Sequence, residues 1–303
     1  MKTIIAAISG GVDSITMLDL LSQAVEGKGA AGRAGFASSR PRDEGKPSVF
    51  PDIIVAHFNH GIREDSDEDE QLVKALAKQY GFKFESKKEI LGAAASETYA
   101  RQRRYKFLND IANRYNGTIY TAHHADDVVE TIALNLIRGT GWRGLVPLDS
   151  PNIERPLIGW WKADIRNYAK QHDLPWREDS TNLYGTHLRN RVRHALQGFT
   201  LQDKKQLLAL YNQQKKLKRQ IDTAKGELLT IRDREIFKQL DDNVALEILR
   251  AICTVQGVTP LRANLNMTLT AIRTFGTGKK FELNKYVTIK MNRHDFEVLY
   301  LTP

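Results

Sequence analysis

The segment that most constrains the fold of this chain is a short glycine-containing stretch near its N-terminus, Ser9-Gly10-Gly11-Val12-Asp13-Ser14. It follows an apolar run at 4–8 and precedes a stretch of helical periodicity at 15–25. A strand that enters a helix through such a turn presents backbone N–H groups and the positive end of the helix dipole to an anion. The stretch lacks the lysine of the Gly-x-x-x-x-Gly-Lys-Ser/Thr loop, and Asp13 would repel an anion unless it carries a metal ion or caps the helix. We therefore predict an anion-binding turn, with an ordinary strand-to-helix turn as the alternative.

Strand and helix patterns alternate over the first part of the chain. Strands are predicted at 3–8, 52–58, 82–86, 117–122 and 153–158, and helices at 14–25, 67–80, 97–115, 127–138 and 162–172. Five such units with apolar strands predict an α/β domain with a doubly wound five-stranded parallel sheet. In such sheets ligands bind beyond the carboxyl ends of the strands. A glycine-rich interval without periodicity, at 27–50, is interpreted as a flexible surface insertion in preference to a basic arm.

The pattern changes after about residue 200. Helices are predicted at 200–211, 213–230, 244–256 and 264–274, followed by short strands at 279–283, 286–290 and 296–301. We therefore expect two domains, at 1–199 and at 200–303, the second being a smaller, mainly helical α+β domain.

The positive charge of the chain is concentrated in one segment. The net charge is +9, and residues 186–220 hold nine Lys and Arg, among them Arg189, Arg193, Lys215 and Lys216, against the single acid Asp203. Such a block favours a polyanion partner, with nucleic acid as the obvious candidate and a solvated helix face as the alternative. No apolar run is long enough to span a membrane and no leader is recognised, so a cytoplasmic protein is expected.

Histidines, arginines and carboxylates recur where the predicted strands end. His57 and His60 lie at the end of the second strand, and contact with a nucleotide is preferred to a zinc site because no third ligand lies nearby. Arg101 and Arg104 share a helix face, which suits either a surface ion pair with Glu97 or a bound phosphate.

Two carboxylates follow the fourth predicted strand. Asp127 and Glu130 have the spacing of a helix capping box. The alternative is that the pair holds an ammonium group and accepts its proton as the amine becomes a nucleophile.

Taken in order, these motifs resemble the tRNA(Ile)-lysidine synthetase family, whose glycine turn is the pyrophosphate (PP) loop of N-type ATP pyrophosphatases. The resemblance covers about residues 1–195 and rests on SGGVDS at 9–14, HFNHGIR at 57–63, ARQRRY at 100–105, TAHHADDVVET at 121–131, RGTGWRGL at 138–145, RPL at 155–157 and EDSTN with RNRVR between 178 and 193.

The resemblance implies an adenine nucleotide alpha hydrolase-like fold and a two-step ligation. ATP would adenylate O2 of the first-anticodon-position cytidine in a CAU-anticodon isoleucine tRNA, and free L-lysine would then attack C2 and expel AMP. It implies that residues 9–14 and His57 bind ATP, with Mg²⁺ near Asp13. Asp127 and Glu130 would bind and deprotonate lysine, and Arg104 would stabilise the adenylate. The tRNA-binding residues would be Arg101, Arg189, Arg193, Lys215 and Lys216. The oligomeric state stays open, a homodimer included.

Two rival enzyme classes would need more cysteines than this chain has. A tRNA thiolase with the same loop usually delivers sulfur through paired cysteines or a cluster, and a glutamine-fed amidotransferase needs a nucleophilic cysteine domain. Cys253 is the single cysteine of the chain, so neither class is favoured.

Overall fold

The N-terminal part of the chain folds around a five-stranded parallel sheet. The computed structural model describes residues 3–26, 52–61, 66–92, 96–178, 188–255 and 260–300, so the predicted insertion at 27–50 lies outside the described residues. The strands are β1 (Ile4–Ala7), β2 (Ile53–Asn59), β3 (Lys83–Lys88), β4 (Thr118–Tyr120) and β5 (Ile153–Glu154). They pair in parallel in the order β3-β2-β1-β4-β5. The predicted doubly wound α/β fold class is confirmed.

Helices cover both faces of this sheet. They are α1 (Val12–Glu26), α2 (Ser66–Gln79), α3 (Glu97–Arg114), α4 (Ala125–Ile137) and α5 (Lys162–Gln171). Side chains alternate between the faces along each strand. On β1, Ile4 and Ala6 pack in the cluster that contains α1 and α5, whereas Ile5 packs with Leu108 and Ile111 of α3. Burial on both faces explains why β1 and β2 are almost continuously apolar.

The strand order creates a crevice at the centre of the sheet. The chain runs outward from β1 to β2 and β3, and then crosses β1 to continue at β4 and β5. The connection after β1 runs toward β2, and the connection after β4 runs the opposite way, toward β5. A crevice therefore opens between the carboxyl ends of β1 and β4, where doubly wound sheets bind ligands.

Helix α7 (Leu201–Leu228) is longer than the sequence predicted, and the two helices expected at 200–211 and 213–230 are one. That prediction was wrong because neither glycine nor proline interrupts the helix near residue 212. The chain divides into compact units at 1–214 and 215–303, whereas we placed the domain boundary at 199/200. The first part of α7 belongs to the first unit, since Leu207, Leu208 and Tyr211 pack with Val128 and Ile132 of α4. Helix α6 (Leu188–Ala195) precedes it.

The second unit is a small α+β assembly, as expected. After the end of α7 it contains α8 (Arg234–Gln239), α9 (Asp242–Val255), α10 (Arg262–Thr274) and an antiparallel sheet of β6 (Lys280–Asn284), β7 (Val287–Met291) and β8 (Phe296–Tyr300). The six-residue α8 was missed by the sequence patterns because it is too short to show a period. Among the described residues, no helix has the length and apolarity needed to cross a membrane.

Candidate active site

A cavity of about 410 Å³ opens at the carboxyl ends of β1, β2 and β4. Seven residues that the sequence singled out line it together, namely Ser9, Asp13, Ser14, His57, His60, Arg104 and Asp127. Others that line it were not assigned to a site, and these include Asn59, Asp69 and His123. The cavity lies where the strand order predicts a ligand site.

The glycine turn closes tightly on itself before α1 begins. Gly10 has φ +95°, a conformation that glycine adopts at little cost. A Cβ at this position would also lie 3.4 Å from Cβ of Asp69. The hydroxyl of Ser14 donates to the carbonyl of Gly11 at 2.9 Å and accepts from the backbone N–H of Ser9 at 3.2 Å. The turn therefore holds the first N–H groups of α1, which lack intrahelical acceptors, at the edge of the cavity.

Asp13 is paired with a lysine from a distant part of the chain. Nζ of Lys162, the first residue of α5, donates to both carboxylate oxygens of Asp13, at 2.7 and 2.6 Å. The backbone N–H of Lys162 donates to Oδ2 of Asp126 at 2.9 Å, which anchors the start of α5 beside the start of α4. The sequence patterns gave no signal for this pair, since 149 positions separate the two residues.

The carboxylate of Asp127 caps the helix in which it lies. It accepts a hydrogen bond from the backbone N–H of His124 at 2.9 Å, and His124 is the N-cap of α4. The sequence predicted Asp127 as the N-cap residue and Glu130 as its partner three residues later. That prediction was wrong, because the capping box is formed three positions earlier, by His124 and Asp127. The helix begins at Ala125, two residues earlier than predicted, and β4 likewise ends at Tyr120, two residues before its predicted end.

Asp13 and Asp127 lie around one buried imidazole. Nε2 of His124 is 3.9 Å from Oδ1 of Asp13 and 3.6 Å from Oδ2 of Asp127. Among the described residues, no group of three or more His, Cys, Asp or Glu side chains is arranged to hold a metal ion. Mg²⁺, however, is usually held by one or two carboxylates together with substrate phosphates and water. Asp13 lines the cavity and can offer one carboxylate to Mg²⁺ that arrives with a phosphate ligand, without forming a complete metal cage.

Histidines in and beside the cavity are held neutral. Nδ1 of His57 lies 2.8 Å from the carbonyl oxygen of Ile8, which can only accept, so this nitrogen carries the proton and ties β2 to β1. Burial lowers the pKa of His57. Burial, with the positive charge of Arg104, lowers the pKa of His60 to about 4. His123 has its pKa lowered to about 3, first by burial and then by Arg155 and neighbouring guanidinium groups.

Helix α3 presents arginines beside the cavity. Arg104 lines it, and the guanidinium groups of Arg101 and Arg104 lie 4.9 and 5.5 Å from the ring centre of Tyr105. Oε1 of Glu89 accepts from Nε of Arg103 at 2.8 Å. The side chain of Glu97 lies outside the described residues, so the predicted ion pair with Arg101 stays untested.

Glu130 is placed differently from Asp127. Its buried carboxylate forms ion pairs with two arginines of α6, with Nε of Arg189 at 2.5 Å and with Nη2 of Arg193 at 3.0 Å. Glu130 is not among the residues that line the cavity. Lys215 is half-buried and Lys216 is exposed. They are the first two residues of the second unit.

Comparison with known proteins agrees with the resemblance seen in the motifs. The PP-loop domain family matches residues 1–198. The tRNA(Ile)-lysidine synthase of Geobacter sulfurreducens is 33% identical over 205 residues, which cover 64% of this chain and 39% of the relative. The enzyme of the same name from Lactiplantibacillus plantarum is 31% identical over 243 residues, or 76% of this chain and 49% of the relative. The matched part thus spans less than half the length of these relatives.

A solved structure shares the fold. The U34-tRNA thiolase of Methanococcus maripaludis, solved with its [4Fe-4S] cluster, superposes with a TM-score of 0.55 at 16% identity, over 71% of this chain and 72% of the thiolase. At this identity the likeness shows the fold alone. From the match over residues 1–198, together with the sheet order and the glycine turn, the chain belongs to the PP-loop domain family.

Proposed function

We propose that this chain is an ATP-dependent ligase that joins lysine to C2 of the first-anticodon-position cytidine of a CAU-anticodon isoleucine tRNA. The products are lysidine in the tRNA, AMP and pyrophosphate. One observation carries the proposal: Ser9, Asp13 and Ser14 of the glycine turn line the same cavity as Arg104 and Asp127. Membership of the PP-loop domain family supports the use of ATP. The names of the relatives support tRNA as the substrate class and, with it, a cytoplasmic location.

The first step activates the cytidine. Its O2 attacks the α-phosphorus of ATP, the bond from that phosphorus to the bridging α,β-oxygen breaks, and pyrophosphate leaves. The N–H groups at the start of α1 and the Ser9 and Ser14 hydroxyls would bind the phosphates. The guanidinium of Arg104 would stabilise the adenylate, because a fixed guanidinium forms paired hydrogen bonds with phosphate oxygens. Asp13 would hold Mg²⁺, whose positive charge would offset part of the charge of the phosphates.

The second step forms the carbon–nitrogen bond. The ε-amine of lysine attacks C2, the bond from C2 to O2 breaks, and AMP leaves with that oxygen. The amine of free lysine is protonated near neutral pH, so a base must take up its proton before or during attack. We assign this role to Asp127, which lines the cavity.

The sequence assigned Glu130 to lysine as well, but its contacts favour another role. Because Arg189 and Arg193 already neutralise its carboxylate, we propose that Glu130 holds these arginines in place for the RNA backbone. Arg101, Lys215 and Lys216 would add phosphate contacts, each sensitive to salt.

Transfer of labelled lysine tests the function. The protein is incubated with ATP, labelled lysine and a transcript of isoleucine tRNA with the CAU anticodon, and a UAU transcript serves as the control. The proposal predicts label on the CAU transcript alone and only in the presence of ATP. ATP consumption without lysine on the RNA would contradict it.

Sulfur transfer of the thiolase kind is not supported. Cys253 is buried in the second unit, and burial raises the pKa of its thiol to about 11. Such a thiol is largely protonated at neutral pH and a poor nucleophile.

A further inference from the structure

We propose that Lys162 is the phosphate-binding lysine of this site, supplied by α5 because the glycine turn has none. The inference rests on the ATP site of the proposed function. It assigns Lys162 to the β- and γ-phosphates of ATP, and therefore to the pyrophosphate that leaves in the first step.

The first observation is the position of the ammonium group. Nζ of Lys162 lies 2.6 and 2.7 Å from the two carboxylate oxygens of Asp13. Asp13 is the second residue of α1 and lies within the glycine turn, where the N–H groups of the helix start would bind phosphate. The ammonium group of Lys162 therefore lies beside the proposed phosphate site, although Lys162 is not part of the glycine turn.

The second observation is how α5 is held there. The backbone N–H of Lys162 donates to Asp126, and α5 packs against α1 through the cluster that contains Ile165, Ala169 and Leu18. The start of α5 is therefore fixed by its backbone and its apolar face. The side chain of Lys162 remains 37% exposed, so it can shift toward a ligand without moving the helix.

The third observation is chemical. An ammonium carries three donors on a flexible stem, and two of them suffice for Asp13. A phosphate that enters the turn brings a larger negative charge than one carboxylate, so the ammonium would bridge Asp13 and the phosphate oxygens. The same contact explains how a carboxylate can stand in a phosphate-binding turn, because Lys162 neutralises it before ATP arrives.

A purely neutralising role for Lys162 is the competing explanation, and a double substitution separates the two. Lys162→Met removes the ammonium but keeps the backbone N–H that Asp126 holds. Asp13→Asn removes the charge that would need neutralising. If Lys162 only screens Asp13, Lys162→Met has no effect in the Asp13→Asn background. If Lys162 contacts phosphate, Lys162→Met also weakens ATP binding in the Asp13→Asn background.

The test compares ATP and AMP binding by calorimetry, with EDTA present so that metal binding by Asp13 does not contribute. We expect Lys162→Met to weaken ATP binding about ten- to a hundredfold, the range for a hydrogen bond to a charged group, in both the native and the Asp13→Asn backgrounds. AMP binding should change less than about threefold, since AMP lacks the phosphates that Lys162 would contact. Lys162→Arg should recover part of the loss. Lys170→Met, an exposed lysine of the same helix, should bind ATP like the unmodified protein.

Equal losses for ATP and AMP, or no loss in the Asp13→Asn background, would overturn the assignment, as would a failure of the unmodified protein to bind ATP. Melting temperatures of all variants check the fold. Neither lysine nor tRNA is present, so the result is independent of the ligation. A protein that binds ATP through Lys162 but makes no lysidine would refute the proposed function and leave this inference standing.

Discussion

The buried carboxylate of Glu130 on α4 accepts a hydrogen bond from Nε of Arg193 on α6 at 3.0 Å. Arg189, one turn earlier on α6, pairs with the other oxygen of the same carboxylate. One acid thus fixes two guanidinium groups whose side chains remain 38% and 47% exposed. Paired and oriented arginines of this kind suit contact with phosphates of an RNA backbone.

Glu130→Gln should weaken tRNA binding more than lysine binding. The amide keeps the shape of the side chain but loses the charge that holds both arginines, so we expect the apparent KM for tRNA to rise several-fold while that for lysine changes little. Stability should fall by about 1–2 kcal/mol, less than for a fully buried pair because the guanidinium groups are partly exposed. Asp110→Asn, an exposed carboxylate on α3, is the control. A rise in the KM for lysine alone would restore Glu130 to the role that the sequence first assigned to it.

Asp127→Asn should separate the two chemical steps. The asparagine oxygen can still accept from the backbone N–H of His124, so the cap of α4 and the fold should be kept. Loss of the base should slow lysine transfer about 10²- to 10⁴-fold, while pyrophosphate release in the presence of tRNA continues. Both rates are measured on the same preparation. Unchanged lysine transfer would remove Asp127 from the mechanism.

Gly10→Ala should destabilise the protein and weaken ATP binding together. Alanine at φ +95° is strained, at a cost of about 1 kcal/mol or more, and its Cβ would contact Asp69. Gly81→Ala is a matched control, because Gly81 has φ +70° with nothing within 4 Å of an added Cβ and lies outside the glycine turn. Both variants should lower Tm, but only Gly10→Ala should reduce ATP affinity. Equal ATP affinity in the two variants would contradict a phosphate-binding turn.

Mild acid should destabilise the fold through His123 and His60, two half-buried histidines. His123 stays neutral when folded, with a pKa lowered to about 3, whereas its ordinary value is 6.5. Between these values the unfolded chain binds the additional proton, so stability falls as pH falls. From about pH 7 to about pH 5 this amounts to roughly 2 kcal/mol, or roughly 4–8 °C in Tm, and His60 acts in the same direction.

A substitution isolates the contribution of His123. His123→Asn should show a smaller fall in Tm over this pH range than the unmodified protein, whereas His194→Asn, at an exposed position of α6, should show the same fall. Parallel curves for all three proteins would mean that His123 does not remain neutral in the folded state.

The sequence predicted the sheet and the cavity well because both depend on local patterns. Apolar strands that alternate with helices define the fold class, and the carboxyl ends of parallel strands meet at one edge. The sequence alone therefore places Ser9, His57 and Asp127 at one edge of the sheet. Lys162 could not, because a pair between α1 and α5 depends on how the helices pack on the sheet and leaves no periodic signal.

The contacts of Glu130 could not be predicted for a related reason. The sequence around Glu130 predicts a helix cap or an amine-binding site. The residues that pair with Glu130 are Arg189 and Arg193 of α6, and Arg193 lies 63 positions further along the chain. The single long α7 shows the reverse case. The sequence predicts two helices, at 200–211 and 213–230, although no glycine or proline near residue 212 would end a helix there.

The fate of the α-phosphate tests the central claim most directly. The protein is mixed with ATP labelled at the α-phosphorus and CAU-anticodon isoleucine tRNA, first without lysine and then after its addition. We predict that label joins the RNA in the first stage. In the second stage it should leave as AMP, one AMP for each lysine that becomes attached to the RNA. Label that never enters the RNA, or lysine that attaches without release of AMP, would contradict a ligation through an adenylated cytidine.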